Sequence, residues 1–357
     1  MSSSTTNDET NIINCDTNCD NDETTIINCD STDNTNESID ITSPVTKIDD
    51  FIVVDDNKSQ LVNSIQTALD SARLACAFAV DIDTKIAGVL SKTKDVITLG
   101  KRTQMNVNKY KICIDTTLET LKVTQKLKNK NIAPISLSLV ENIHLLSKKV
   151  LELANKSVNQ ITDVVTTSVE TKKVSISAGK AILTIKTAIL NAQQIANSDT
   201  TLSQTVKDEI IVALQATKTA LGDAIVADIN ISSVKSQSEI TKVATVNALT
   251  YSKKTMNSAK ANVVISKDSL NNLNKITANI PVKPINHVKP INPVKPIKSI
   301  RDIQLKAKNM LIETNKVIES SNCIIKKLQT AQPRIVISVT SMQKMIESLE
   351  KVLSLLS

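Results

Sequence analysis

The sequence predicts an all-α fold: an elongated antiparallel helical bundle or coiled coil, with a disordered acidic N-terminal arm and a Pro-rich linker. Two observations predict it. Apolar residues recur at three- and four-residue spacing over most of the 357 residues, which is the period of a helix with one buried face. The residues that strands and turns favour are scarce, since the chain has four Gly and four aromatic side chains.

Residues 1–57 are predicted to be a disordered acidic tail. They contain fourteen Asp and Glu against one Lys, and DETNIINCD at 8–16 recurs as DETTIINCD at 22–30. This composition offers too little apolar surface to offset the entropy lost on ordering. The remaining residues contain 42 Lys and Arg against 22 Asp and Glu, so an acidic arm precedes a basic body.

Residues 58–278 are predicted to form a long helical bundle. Turn-rich stretches at 129–134 and 197–200 divide them into three tracts, and the second stretch supplies a helix stop and a new N-cap. Short connections imply antiparallel neighbours, so the simplest arrangement is a three-helix bundle. The alternative is a set of shorter helices that break near Gly88, Gly100, Gly179 or Gly222.

Residues 279–299 and 300–357 are predicted to be a linker and a C-terminal helical hairpin. The repeat PVKPIN HVKPIN PVKPIK carries Pro at a density that favours extended polyproline II. Pro333 is expected to separate the two helices of the hairpin. The second helix has a regular apolar seam that could pack on its neighbour or mediate self-association. The seam consists of Val339, Met342, Ile346, Leu349, Leu353 and Leu356.

We expect no enzymatic activity, no catalytic residue, no metal site and no cofactor. His144 has no second His, Cys or carboxylate three or four residues after it, and no phosphate-binding loop or hydrolase motif occurs. Cys15, Cys19 and Cys29 lie among aspartates in the arm, but their spacing does not match that of a metal site.

The peptide DDFIVVDD, at the end of the acidic arm, is the predicted partner-binding motif. Four apolar residues stand between two pairs of aspartates, and such a segment can add as a strand to another protein's sheet. The motif comprises Asp49, Asp50, Phe51, Ile52, Val53, Val54, Asp55 and Asp56.

Residues 50–54 resemble the acidic-aromatic-x-x-aliphatic motif that binds ubiquitin-like autophagy modifiers, and residues 52–56 resemble the aliphatic-acidic motif that binds SUMO. Both resemblances imply a ubiquitin-like modifier as partner. The alternative is a local staple, in which Phe51 or Val54 packs on the first helix near Leu61 or Ile65.

These observations predict a non-enzymatic, cytoplasmic scaffold or adaptor that binds protein partners or itself through helix faces and residues 49–56. The alternative is a protein of the membrane surface, since apolar helix faces bordered by Lys can lie on anionic lipid. Nonspecific nucleic-acid binding is disfavoured, because the basic body offers only Phe78, Tyr110 and Tyr251 for stacking on bases.

Overall fold

The structure, a computed structural model, describes residues 54–127, 133–278 and 294–357. The chain divides into Met1–Ser38, which lies outside the described residues, and Ile39–Ser357, which contains four long helices. These are α1 (Val54–Leu127), α2 (Ala133–Ser198), α3 (Gln204–Ala278) and α4 (Val294–Leu356). Each helix contacts its two neighbours in the ring α1, α2, α3, α4. The predicted all-α bundle is confirmed, with four helices in place of three.

Every helix buries residues in two interleaved series with a period of seven. In α1 one series runs from Leu61 through Ala68 and Ala75 to Thr117, and the other from Ile65 through Ala72 to Ile114. A repeat of seven residues per two turns keeps one seam facing the neighbouring helices and is typical of a left-handed supercoil. The bundle is therefore a four-helix coiled coil, and the seam stays continuous through Gly88 and Gly100.

Many seam positions are Ser or Thr, and they are accommodated by bonding to their own helix. The buried hydroxyl of Thr93 donates to the carbonyl of Val89 at 2.7 Å, and that of Ser168 donates to Val164 at 2.7 Å. The same i to i−4 bond satisfies Ser238 at 2.7 Å. Small hydroxyl side chains can therefore fill the seam without leaving their donors unpaired.

The apolar core is divided into two clusters along the bundle. The larger packs the N-terminal half of α1 with the C-terminal half of α4, and the smaller packs the opposite halves of the same helices. Between them the seams carry Gly100, Thr103, Ser157, Thr245 and Thr314. We refer to the seam positions of α1 between Val96 and Val107, with their neighbours on the other helices, as the polar middle. Because its side chains are small and polar, it buries less apolar area per layer than either cluster.

The turn between α2 and α3 follows the predicted stop closely. α2 ends at Ser198, and the Asp199 carboxylate accepts hydrogen bonds from the hydroxyl and backbone N–H of Thr201 at 2.6 and 2.8 Å. These bonds, led by that of the hydroxyl, lower the pKa of Asp199. The N-cap of α3 is Ser203, whose Oγ accepts from Val206 N at 3.4 Å, so the cap lies three residues beyond the predicted stretch.

The prediction of a C-terminal hairpin over 300–357 is wrong, because α4 runs unbroken through Pro333. Pro333 occupies an exposed position, on the side of α4 away from the buried seam. The seam continues in register across it, with Leu328, Ala331 and Ile335 all buried. Continuous burial on the inner side outweighs the local helix-breaking cost of the proline.

Two predicted boundaries also shift. The linker prediction is wrong for residues 294–299, which form the start of α4, where the first turn tolerates Pro296. Residues 279–293 lie outside the described residues, as do residues 1–53 of the predicted tail. Helix α1 begins at Val54 rather than at residue 58.

Ion pairs connect neighbouring helices at several levels. Lys172 on α2 and Asp228 on α3 lie 2.6 Å apart and are both mostly buried. Ser175 also donates to Asp228 at 2.8 Å. On the other side of α3, Arg334 of α4 contacts Asp223 at 3.1 Å. Both acidic side chains of this part of α3 are thereby directed towards neighbouring helices.

Candidate interaction surface on helix α3

The predicted peptide motif lies only partly within the described residues. Asp49, Asp50, Phe51, Ile52 and Val53 lie outside them. Val54, Asp55 and Asp56 form the first residues of α1. A strand-like conformation over 49–56 would therefore require the first turn of α1 to unwind. Binding of a ubiquitin-like modifier stays a prediction.

The predicted self-association seam packs inside its own chain. Met342, Leu349 and Leu356 are buried in the larger apolar cluster, and Val339, Ile346 and Leu353 are partly buried against it. A second chain could reach this seam only by displacing a neighbouring helix. If the protein self-associates, it needs another surface.

The exposed side of α3 is unusually apolar. Fifteen positions between Ile211 and Thr250 are exposed, and two of them, Lys218 and Glu239, carry charge. On α1 the comparable stretch from Asn63 to Arg102 has sixteen exposed positions, of which six are charged. We call the exposed positions of α3 from Ile211 to Val264 the α3 outer face.

Large apolar side chains concentrate on this helix. Nine of those exposed in the described residues belong to α3, against five on α1, one on α2 and five on α4. Ile229 and Val243 are each 62% exposed, and Ile240 is 57% exposed. The nine are Ile211, Val212, Val226, Ile229, Ile240, Val243, Val246, Val264 and Ile265.

The period of seven places an uncharged ladder along the middle of the α3 outer face. Its six positions lie opposite the buried seams and are all exposed: Gln215, Gly222, Ile229, Ser236, Val243 and Thr250. All six residues of the ladder are uncharged by type. Asp223 and Asp228 lie to either side of it and pair with Arg334 and Lys172.

Gly222 stands on this ladder without a reason inside the chain. A glycine in a helix interior costs about 1 kcal/mol relative to alanine. A Cβ added at Gly222 would meet no atom within 4 Å, whereas one at Gly100 would come within 2.8 Å of Ile318 Cγ1. Packing within the bundle thus explains Gly100 and leaves Gly222 available for the close approach of another molecule.

The same helix contains the described segment that is long and apolar enough to cross a membrane. Over Gln204–Asp268, its most apolar 18 residues have a mean hydropathy of 1.4, and 44% of them are buried in the bundle. A core helix of a soluble protein can meet the same criteria. The hydropathy therefore shows that α3 is apolar and does not place it in a membrane.

Other candidate sites on the described residues are weaker. None of their His, Cys, Asp and Glu side chains form a group of three that could hold a metal ion. His144 is half-buried on α2, and its ring Nδ1 has no hydrogen-bond partner there.

Two grooves open between α1 and its neighbours, of about 490 and 400 Å³. The first, against α2, is lined mainly by neutral polar side chains. The second, against α4, is basic and has Lys111, Arg301 and Lys308 around Leu305. Neither set of lining residues contains a carboxylate or a histidine, so neither groove supplies a general base of those types.

Comparisons with known proteins add little. No protein-family model and no curated protein matches the chain. Among solved structures, the AhlB pore of the tripartite alpha-pore forming toxin AHL from Aeromonas hydrophila is 9% identical, with a TM-score of 0.18, over 85% of this chain and 96% of that one. The Bacillus cereus HblL1 toxin component is 12% identical, with a TM-score of 0.14, over 84% of each chain. Similarity at these TM-scores supports no argument about function.

The sequence contains a second apolar series on α3, which helical spacing alone does not distinguish from the core series. Ile229, Ile240 and Val243 lie at helical spacing, as core residues do, but they are offset from the buried seam of Ala227, Ile231 and Val234. Two apolar series on one helix indicate one face for the core and a second for something else.

Proposed function

We propose that the protein is a non-enzymatic scaffold or adaptor that binds protein partners along the α3 outer face. The observation that carries this proposal is the uncharged ladder from Gln215 to Thr250 and the exposed Ile and Val side chains beside it. A contiguous apolar patch on a folded surface typically marks an interaction site. A partner helix could lay its own apolar side chains along this face.

The architecture suits this role. The four helices are 63 to 75 residues long, or roughly 95–110 Å at 1.5 Å per residue. The α3 outer face extends along most of one helix, so a partner can make many small contacts rather than enter a pocket. Residues 49–56 would supply a second, independent attachment at the start of α1.

The proposal is tested by placing charge on the α3 outer face and comparing partners. The Ile229→Lys, Val243→Lys variant should lose the proteins that co-purify with wild type. The matched control is Val80→Lys, Ile112→Lys on α1, whose side chains are 58% and 65% exposed and which should retain those partners. Identical partner sets for wild type and both variants, measured by quantitative mass spectrometry, would overturn the proposal.

A second candidate function is binding to a lipid surface, favoured by the mean hydropathy of 1.4 within Gln204–Asp268. The nine exposed apolar side chains of α3 are all Ile or Val, so the aromatic rings that anchor helices at membrane interfaces are missing from that set. Flotation with anionic vesicles separates the two functions. The scaffold proposal expects no flotation, and flotation that the Ile229→Lys, Val243→Lys variant loses would replace it with the lipid function.

A further inference from the structure

We infer that one partner of the α3 outer face is the same face of a second copy of this chain, packed antiparallel to form a twofold dimer. This inference rests on the proposed function, since it names a partner for the same surface. The area of the face, the register of its central side chains and the place of Gly222 support it.

The face is large enough for a stable dimer. Ile211 and Val264 are 53 residues apart, about 80 Å along the helix. A contact strip about 10 Å wide along that length buries about 800 Å² on each chain, which is the standard size of a specific interface. A shorter partner helix would leave part of the exposed Ile and Val side chains uncovered, whereas a second α3 matches the full length.

The register of the face is self-complementary. In an antiparallel pair with its twofold axis at Ser236, positions that face each other have numbers that are symmetric about 236. Ile229 of one copy then faces Val243 of the other, and Val226 faces Val246. These four side chains are all exposed in the single chain. The pairing therefore places these four apolar side chains against one another.

Small residues allow the two helices to approach closely. Gly222 faces Thr250 in this pairing, and Ser236 meets its own counterpart at the axis. Open space surrounds the position that a Cβ of Gly222 would occupy, and glycine at a helix contact lets the backbones come together. The dimer would thus explain a glycine that the packing of one chain leaves unexplained.

The charges at the edges predict how the dimer responds to salt. Lys218 of one copy comes opposite Lys254 of the other, and both are exposed. Like charges opposite each other weaken association, and salt screens them. Dimerisation through this face should therefore strengthen from low to moderate NaCl. An association driven by the acidic arm on the basic body would weaken over the same range.

Sedimentation velocity of the full chain over a concentration series tests the dimer. Wild type and the Val80→Lys, Ile112→Lys control should dimerise with the same Kd. The Ile229→Lys, Val243→Lys variant should dimerise at least roughly a hundredfold more weakly, because each dimer would bury four unpaired charges. Circular dichroism should give all three chains the same helix content. A monomeric wild type, or an unchanged Kd for the α3 variant, would overturn the inference.

Cysteine cross-linking tests the antiparallel register directly. Ser236→Cys should form a covalent dimer on mild oxidation, whereas Thr98→Cys, an exposed control on α1, should behave like wild type. Gln215→Cys and Asn257→Cys should cross-link to each other when mixed, and each should fail to cross-link with itself. A Gln215→Cys homodimer would show a parallel pair and would contradict the inference.

The failure of this inference can be distinguished from failure of the proposed function. A monomer whose other protein partners still depend on Ile229 and Val243 would remove the dimer and keep the scaffold. A monomer that binds anionic vesicles through the same residues would assign the face to lipid and overturn both.

Discussion

Buried hydroxyls on α1 and α4 lack the local bond that satisfies most other seam Ser and Thr. Thr103 Oγ1 and Ser321 Oγ have no partner among the described residues, although each lies on a helix whose other Ser and Thr commonly bond to the i−4 carbonyl. An unpaired buried hydroxyl keeps its desolvation penalty. Both positions are therefore sites where removing the hydroxyl should raise the free energy of unfolding.

Replacing these hydroxyls should stabilise the bundle. Thr103→Val and Ser321→Ala should each raise the free energy of unfolding by about 1 kcal/mol, because the unpaired group is removed without a large change in shape. Urea denaturation measures the change. Thr93→Val is the control, since that hydroxyl already bonds to Val89, and it should gain less. A loss of stability in Thr103→Val would contradict the assignment.

Alanine substitutions at three glycines give a second comparison of stability between matched variants. Gly88→Ala and Gly222→Ala should each stabilise the monomer by about 1 kcal/mol, because the added methyl group meets nothing and helix propensity improves. Gly100→Ala should lose stability, since its Cβ would lie 2.8 Å from Ile318 Cγ1. Thermal unfolding at low concentration gives the three shifts. Equal shifts for Gly100 and Gly88 would show that α1 and α4 are not in close contact there.

The pair between Glu209 and Lys351 ties α3 to α4. The Lys351 ammonium donates to the Glu209 carboxylate, and this hydrogen bond, with the charge of Lys351, lowers the pKa of Glu209. A depressed folded-state pKa contributes stability above the unfolded value, near 4.3, that is lost as the pH falls through the folded value. Lys351 is 56% exposed, so solvent keeps the contribution small.

The pH dependence of this pair is testable by substitution. Lys351→Met should be slightly less stable than wild type at pH 7. The difference should close as the pH falls through the depressed folded-state pKa of Glu209, because the carboxylate is protonated in both states only below that value. Chemical denaturation at several pH values measures it. A difference that stays constant down to pH 2 would show that Lys351 acts through packing alone.

At the scale of elements, the continuity of α4 is the main departure from the sequence prediction. Proline is a helix breaker as a local rule, and the rule predicted a hairpin. The seam positions Leu328, Ala331 and Ile335 keep the heptad register across Pro333. The sequence contained that register, but only the full bundle shows that both halves pack on the same neighbours.

Replacing Pro333 distinguishes a continuous helix from a hairpin. Pro333→Ala should stabilise the protein by roughly 2 kcal/mol, because the helical cost of proline, about 3 kcal/mol, exceeds the entropy that proline removes from the unfolded chain. A thermal shift measures the gain. Pro296→Ala is the control in the first turn of α4 and should change little. A destabilised Pro333→Ala variant would show that the proline is needed for a break.

The elements that the sequence predicted correctly are those marked by local chemistry. The end of α2 was predictable because the Asp199 side chain bonds to Thr201, two residues away, whereas the N-cap at Ser203 was not predicted. The α3 outer face was not predicted, because Ile229 and Val243 have the same residue types as core positions. Only the packing of α2 and α4 on either side of α3 decides which apolar series is covered.

At the scale of the whole molecule, the division of the core predicts uneven stability. The larger apolar cluster buries side chains such as Ile65 and Ile185, and the smaller buries Tyr110 and Ile114, whereas the polar middle buries Gly100 and Thr103. Local opening is easiest where few apolar contacts are lost.

Hydrogen exchange should reveal this pattern along each helix. Backbone amides near Gly100 and Thr103 should exchange faster than those near Ile65, because opening the polar middle exposes less apolar surface. Mass spectrometry of peptic peptides under native conditions measures the ratio. Uniform protection along α1 would contradict the division. Thr103→Val should slow exchange in the middle and leave the ends unchanged.

Because the period of seven is unbroken, a helix shifted along its axis by seven residues presents its seam in the same place. Sliding one helix along its axis by a heptad, about 10 Å, would again place seam positions against seam positions. The ion pairs Lys172–Asp228 and Arg334–Asp223 would then be broken, and Tyr110 would lose the Ile303 carbonyl to which its hydroxyl donates. These few contacts therefore fix one axial register among helices whose seams otherwise repeat.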